Sequence, residues 1–169
     1  MTATLTPAAV LEITKPSAGL GIARPLIVGA ANGDAQGQRE IRDAYLRLSF
    51  DTKLPIAALV AAAECAVITA RFAASHGDLN DVVILADALW RSAVLFESAG
   101  IPSQCQSRLI ESLSLYKRLS AAGYDGAEEF YQRTVAAVPL EIVALVEEEN
   151  QRFADEGGSA ASIASTRIH

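Results

Sequence analysis

Three glycines, Gly77, Gly100 and Gly123, stand 23 residues apart, and each is followed within two residues by an apolar one: Leu79, Ile101 and Tyr124. A left-handed glycine just past a helix end, with a hydrophobic contact beside it, is the Schellman stop. The spacing therefore predicts helices of nearly equal length joined by sharp reversals, and helices linked so tightly must lie antiparallel. The three blocks end in ARFAASHG, VLFESAG and KRLSAAG and share little else, so equal helix length explains the period better than an internal repeat does.

Other signals complete the layout. Asp34 is an N-cap for a first helix near 36–49, with Ile41, Tyr45 and Leu48 recurring at helical intervals. Pro55 suits the first position of an Ala-rich helix running to His76, an imidazole placed to meet the C-terminal dipole. Asp78 or Asn80 caps the next helix, and Pro102 with Ser103 opens another. Asp125 with Glu128 resembles a capping box for a shorter helix to about Ala137, and Pro139 starts a last one ending before Gly157.

The segment before this is different. Pro7, Pro16 and Pro25 lie among Gly19, Gly21, Gly29, Gly33 and Gly37 with no sustained helical period, and Val10–Thr14 and Pro25–Val28 have strand-like composition. The expectation is all-α: an antiparallel bundle of about five to six helices over 38–156, an extended N-terminal arm over 1–37 and a C-terminal tail over 157–169. At 169 residues the chain can bury about 70% of the surface its unfolded form exposes, so no disulfide or metal staple is needed.

Composition excludes several functions. A net charge of −6 disfavours nucleic acid and anionic membranes, which are held by Lys and Arg. The N-terminus lacks the basic start and apolar run of a signal peptide, and the apolar stretch 55–70 is broken by Glu64, short and weak for a membrane span. Cys65 and Cys105 read as small core hydrophobes in a reducing compartment. A cytoplasmic protein, or one incorporated in a virion or other large assembly, is expected. With 51% apolar and only 20% charged residues, the chain has more surface to hide than a monomer offers, so protein partners or a homo-oligomer are expected.

No catalytic or metal motif is present. His76 and His169 are the only histidines, no Glu-x-x-His or Cys-x-x-Cys occurs, and there is no Gly-x-Ser-x-Gly elbow. Gly19-Leu-Gly21 and Gly29-Ala-Ala-Asn-Gly33 complete no phosphate-binding fingerprint. No catalytic residue, metal site or cofactor is expected. The polar residues that interrupt apolar helices are Glu64, Arg71, Asp87 and Arg91. Asp87 and Arg91 can pair at four residues' spacing, and Glu64 and Arg71 share a face at seven. Either these are exposed pairs on solvated stripes, or their faces meet in a four-charge network that binds a polar ligand or sets helix register. Glu147, Glu148 and Glu149 read as a solvated face, and Trp90, with Phe72, Phe96, Tyr116 and Phe130, as core or interface.

From Tyr45 onward the order LRLSFD, LPIAALVAAAECAVITARF, NDVVILADALWRSAVLFES resembles the helical head–tail connector proteins of tailed phages, in which an aspartate-containing link leads to an Ala-rich helix and a helix with an aromatic and acidic end. The resemblance covers about 55 residues and carries no catalytic chemistry. It implies a ring subunit whose tails dock on neighbours. Helical composition from Gly77 to Tyr131 is also similar to the C-terminal half of phycobiliproteins, without their Cys-x-Arg-Asp bilin attachment pattern, since Ala-Val-Ile follows Cys65.

Overall fold

The computed structural model describes residue 22 and residues 24–158, apart from the side chain of Arg24. Within them lie seven helices and no strand: α1 Arg24–Ala31, α2 Ala35–Ser49, α3 Ile56–Ala74, α4 Leu79–Ser98, α5 Pro102–Ala121, α6 Ala127–Val135 and α7 Leu140–Asp155. The fold is all-α. The segment Val10–Thr14 and most of the C-terminal tail lie outside the described residues.

Packing follows chain order. Each helix from α1 to α5 lies against the next, and α5 also carries α6 and α7. The inner face of α3 is almost all alanine: Ala62, Ala63, Ala66, Ala70, Ala73 and Ala74, with Val67, are buried. Side chains this small let α2 and α4 approach closely on either side. Leu85, Leu89, Leu113, Leu119 and Val146 fill the space between α4, α5 and α7. Helix α3 is also, by length and composition alone, apolar enough to cross a membrane, with 19 residues and a mean hydropathy of 1.8, against the expectation of a segment too short and weak.

Caps set the links between helices. Asp34 accepts the Gly37 N–H at 3.0 Å, and Asp78 accepts the Asn80 N–H at 2.9 Å. Gly100 and Gly123 have φ of 71° and 76°, and the bonds Ile101 N–H to Phe96 C=O and Tyr124 N–H to Leu119 C=O, both 2.9 Å, complete two Schellman stops. Gly77 departs from this pattern. Its φ is 92°, but α3 caps at Ser75, one residue further back, so Gly77 is the second residue past the cap; its N–H bonds Ala74 C=O at 3.1 Å, the same three-residue span as at Gly100 and Gly123. His76 bonds Gln38 Oε1 across to α2 through its ring at 3.0 Å.

Two boundaries differ from the sequence reading. Pro25–Val28, expected to be extended, is helical within α1, which makes seven helices and shortens the expected arm. Gly37 eases the approach of α1 to α2: a Cβ there would sit 3.3 Å from Leu26 C=O and 3.2 Å from Ala30 N, and the two helices would have to move apart by a few tenths of an ångström. Gln38 Nε2 then donates to Ala30 C=O at 3.0 Å. The capping box at Asp125 does not form. Gly126 occupies the N-cap with a φ of 77°, and Glu128 accepts from the Ser120 hydroxyl and from Gln132 Nε2. Pro55 and Pro139 take the N-cap itself rather than the first helical position.

Candidate functional site

The four polar residues singled out in the sequence separate into two places. Glu64 on α3 reaches α5, where it accepts from Arg108 Nε at 3.0 Å and Nη2 at 2.5 Å, and it accepts from Ser92 Oγ of α4 at 2.6 Å. Arg71, two turns on, pairs with Glu111 of α5 at 2.5 Å. Arg108 and Glu111 lie 3.6 Å apart, so Glu64, Arg108, Glu111 and Arg71 form one alternating network that ties α3 to α5 across α4. Burial alone would raise the Glu64 carboxyl, but the Arg108 and Ser92 hydrogen bonds and the charges of Arg108 and Arg71 outweigh it and hold it below its usual value. The network closes its own charges and has the character of a register lock.

Asp87 and Arg91 face the other way, toward α2. Their spacing permits an ion pair, but the structure gives each a different partner. Asp87 accepts the Tyr116 hydroxyl through Oδ1. Arg91 donates through Nη2 to Ser49 C=O, and its guanidinium lies 4.2 Å from the centre of the Phe50 ring. Desolvation of the charged form raises the Asp87 carboxyl against the Tyr116 bond, and desolvation likewise lowers Arg91. Arg91 Nε is buried without a hydrogen-bond partner.

These two residues line an open groove of about 520 Å³ between α2 and α4, with Asp43, Leu46, Phe50, Ile84, Trp90 and Val94. Behind it, Phe130 stacks on Tyr116 with ring centres 4.0 Å apart and meets Trp90 edge-on at 5.7 Å. The stack braces the wall that holds Asp87 and Trp90. A smaller cavity of about 280 Å³ lies along α5 and α7 at Ser107, Glu111, Ser114, Arg118 and Glu149. There Arg118 donates to Asn150 Oδ1 at 3.0 Å and covers the Phe153 ring at 3.9 Å.

The most buried ion cluster went unnoticed in the sequence. Asp81, in the first turn of α4, accepts from Arg39 Nε and Nη2 and from Arg42 Nη1, all on α2, at 2.6–3.1 Å. A carboxylate there also faces the positive end of the α4 dipole. The signal was present as two three-residue spacings, Arg39/Arg42 and Asp78/Asp81, on the solvent-like polar face of one helix and in the first turn of another. Nothing in the sequence says that those two helix ends meet.

The capping glycines Gly77, Gly100 and Gly123 all have positive φ and no part in either cluster. Among the described residues no three His, Cys, Asp or Glu side chains gather into a metal-binding group, and Cys65 and Cys105 are free thiols. No family model, curated protein or solved structure matches this chain.

Proposed function

We propose that the chain is a non-enzymatic helical assembly protein, an oligomer or a subunit of a larger complex, which buries the outer face of α3 against protein. One observation carries this reading. Only 39% of the apolar α3 stretch is buried within the chain. Its open side is a continuous stripe, Ala57, Ala61, Cys65, Ile68 and Phe72, at helical intervals of four, four, three and four. Ile68 is 52% exposed and Phe72 43%. On one flank runs the Glu64–Arg108–Glu111–Arg71 network. An apolar centre bordered by charge has the layout of a protein interface.

The segments before α1 and after α7 serve in this reading as further contact elements, as in the ring subunits that the connector resemblance implies. The alternative, a helical pocket protein or enzyme using Glu64, Arg71, Asp87 and Arg91 together, has less support, because the first pair locks α3 to α5 and only the second pair lines a groove.

Light scattering of the purified chain beside Ile68→Glu and Phe72→Glu tests the proposal. The wild type should have a mass of at least twice 17.8 kDa or should co-purify with a protein partner, and both variants should lose that association while keeping their helical circular dichroism. A strictly monomeric wild type whose co-purifying proteins are unchanged in both variants would overturn it. So would lipid-vesicle binding abolished by Phe72→Glu, which assigns the stripe to a membrane surface.

A further inference from the structure

The open face of α3 is ordered by size as well as by hydropathy. Along it the small residues Ala57 and Ala61 come first, then Cys65, then the large Ile68 and Phe72. Ala57 and Phe72 stand equally far from a point between residues 64 and 65, and Ala61 and Ile68 share the same midpoint. A second copy of the helix laid antiparallel about that point therefore sets each large side chain over an alanine: Phe72 over the partner's Ala57, and Ile68 over the partner's Ala61. Cys65 then lies beside its own copy at the axis. Alanines at the contact let two helices approach to about 8 Å, the close end of the usual spacing. A parallel pair has no such fit, because it stacks Phe72 on the partner's Phe72 at one end and leaves alanine against alanine at the other.

Charge and area agree with a second copy. The only ionic residues of α3 are Glu64 and Arg71, and each is already paired at 2.5 Å with α5, through Arg108 and Glu111. Two copies thus meet there without setting an unpaired charge against its like, although each chain carries a formal charge of −6. On the other flank stands Tyr45 of α2, half-buried and close to Cys65: burial first, and then the charge of Cys65, push its hydroxyl up. The stripe from Ala57 to Phe72 is about 22 Å long on a helix about 10 Å across. With one helix width added on each flank it covers roughly 600 Å², the lower end of what each partner of a specific dimer buries. A face of that size holds a reversible pair.

We infer that the occupant of the α3 face is a second copy of this chain, in a two-fold antiparallel α3–α3 dimer with Cys65 at its axis. The inference rests on the assembly reading and names its partner.

Sedimentation of the full-length wild type over a concentration series should show a reversible shift from 17.8 kDa to twice that mass, and Phe72→Glu should abolish it. For the register, Ala61→Cys and Ile68→Cys are each made in a Cys65→Ser, Cys105→Ser chain and oxidised in air with copper–phenanthroline. An equal mixture of the two should give several-fold more disulfide-linked dimer than either alone, because only facing positions bring two cysteines within bonding reach. Residues 61 and 68 are exposed, so both variants should keep their helical circular dichroism. Should the double-serine chain fail to fold, linkage of the wild type through Cys65, lost in Cys65→Ser and kept in Cys105→Ser, reads the same axis. A dimer in which either single variant links as well as the mixture overturns the antiparallel register. A wild type that is monomeric at every concentration overturns the inference: if it still holds another protein through Ile68 and Phe72, the assembly reading stands, and if it holds none, both fall.

Discussion

Arg42 on α2 donates from Nη1 to Asp81 Oδ1 on α4 across 2.6 Å, and the two side chains are only 4% and 3% exposed. Arg39 adds a second guanidinium to the same carboxylate from the solvent side, 32% exposed. Helices α2 and α4 are both neighbours of α3, and this cluster joins their N-terminal ends directly. Removing the carboxylate would leave the buried Arg42 guanidinium with only the half-exposed Asp43 as partner, and breaking a buried pair in this way costs about 3–5 kcal/mol. Asp81→Ala should therefore lower the unfolding free energy from urea titration by that much, and Asp81→Leu combined with Arg42→Met should recover a large part of it. A cost under about 1 kcal/mol for the single variant would show that water or Asp43 takes over the pairing.

Acid should act through two carboxylates. Burial opposes ionisation of Asp81 and Glu64, but the arginine hydrogen bonds and charges outweigh it, Arg39 and Arg42 on Asp81 and Arg108 on Glu64, so both carboxyls are lowered in the folded state. A lowered carboxyl adds stability that is complete above its unfolded value, near pH 4 for Asp and Glu, and is lost as pH falls through the lower folded value. Unfolding free energy should be flat from about pH 7 to pH 5 as far as these groups are concerned and fall below pH 4. The double variant Asp81→Asn, Glu64→Gln should show a smaller fall over the same range in parallel urea titrations.

The two Schellman turns offer a backbone test. Gly100 and Gly123 have positive φ, and a Cβ at either position would meet nothing within 4 Å. Only conformational strain opposes a side chain there, roughly 1 kcal/mol for each alanine. The turns are separate, so Gly100→Ala and Gly123→Ala should add in thermal or urea unfolding. A loss of several kcal/mol at either would mean that the turn touches something beyond its own backbone.

Alanines on the two sides of α3 should behave differently. Ala70 is fully buried, and Ala61 lies on the open stripe. Ala70→Leu overpacks the helix interface and should cost about 1–3 kcal/mol. Ala61→Leu should leave the unfolding free energy of the dilute chain within about 0.5 kcal/mol and alter only its association, measured by sedimentation. Equal destabilisation by both would mean that the stripe is closed within the single chain.

Local signals in the sequence determined the helices. The glycine stops, the caps at Asp34 and Asp78 and Pro102 at the start of α5 act within a turn or two of backbone, and they place α2 to α5 nearly as observed. Where local signals misled, a tertiary contact was stronger. The β-branched pair Ile27–Val28 read as strand, and the segment is instead helical and packed on α2 beside Gly37. The Glu147–Glu149 run read as a solvated face, and Glu147 and Glu148 are exposed, with surface bonds from Lys117 to Glu147 and from Arg152 to Glu149.

Side-chain partnership was settled by the tertiary structure alone. Glu64, Arg71, Asp87 and Arg91 were visible as charges inside apolar helices, but their facing elements were not. Side chains reaching past α4 from α3 to α5 assigned Glu64 and Arg71 to Arg108 and Glu111, and the gap between α2 and α4 left Asp87 and Arg91 beside Trp90 in a groove. Helix formation depends on neighbours three and four residues away, so a sequence can carry it. The pairing of Asp81 with Arg42, 39 residues apart, depends on which helix ends meet, and only the folded chain sets that distance.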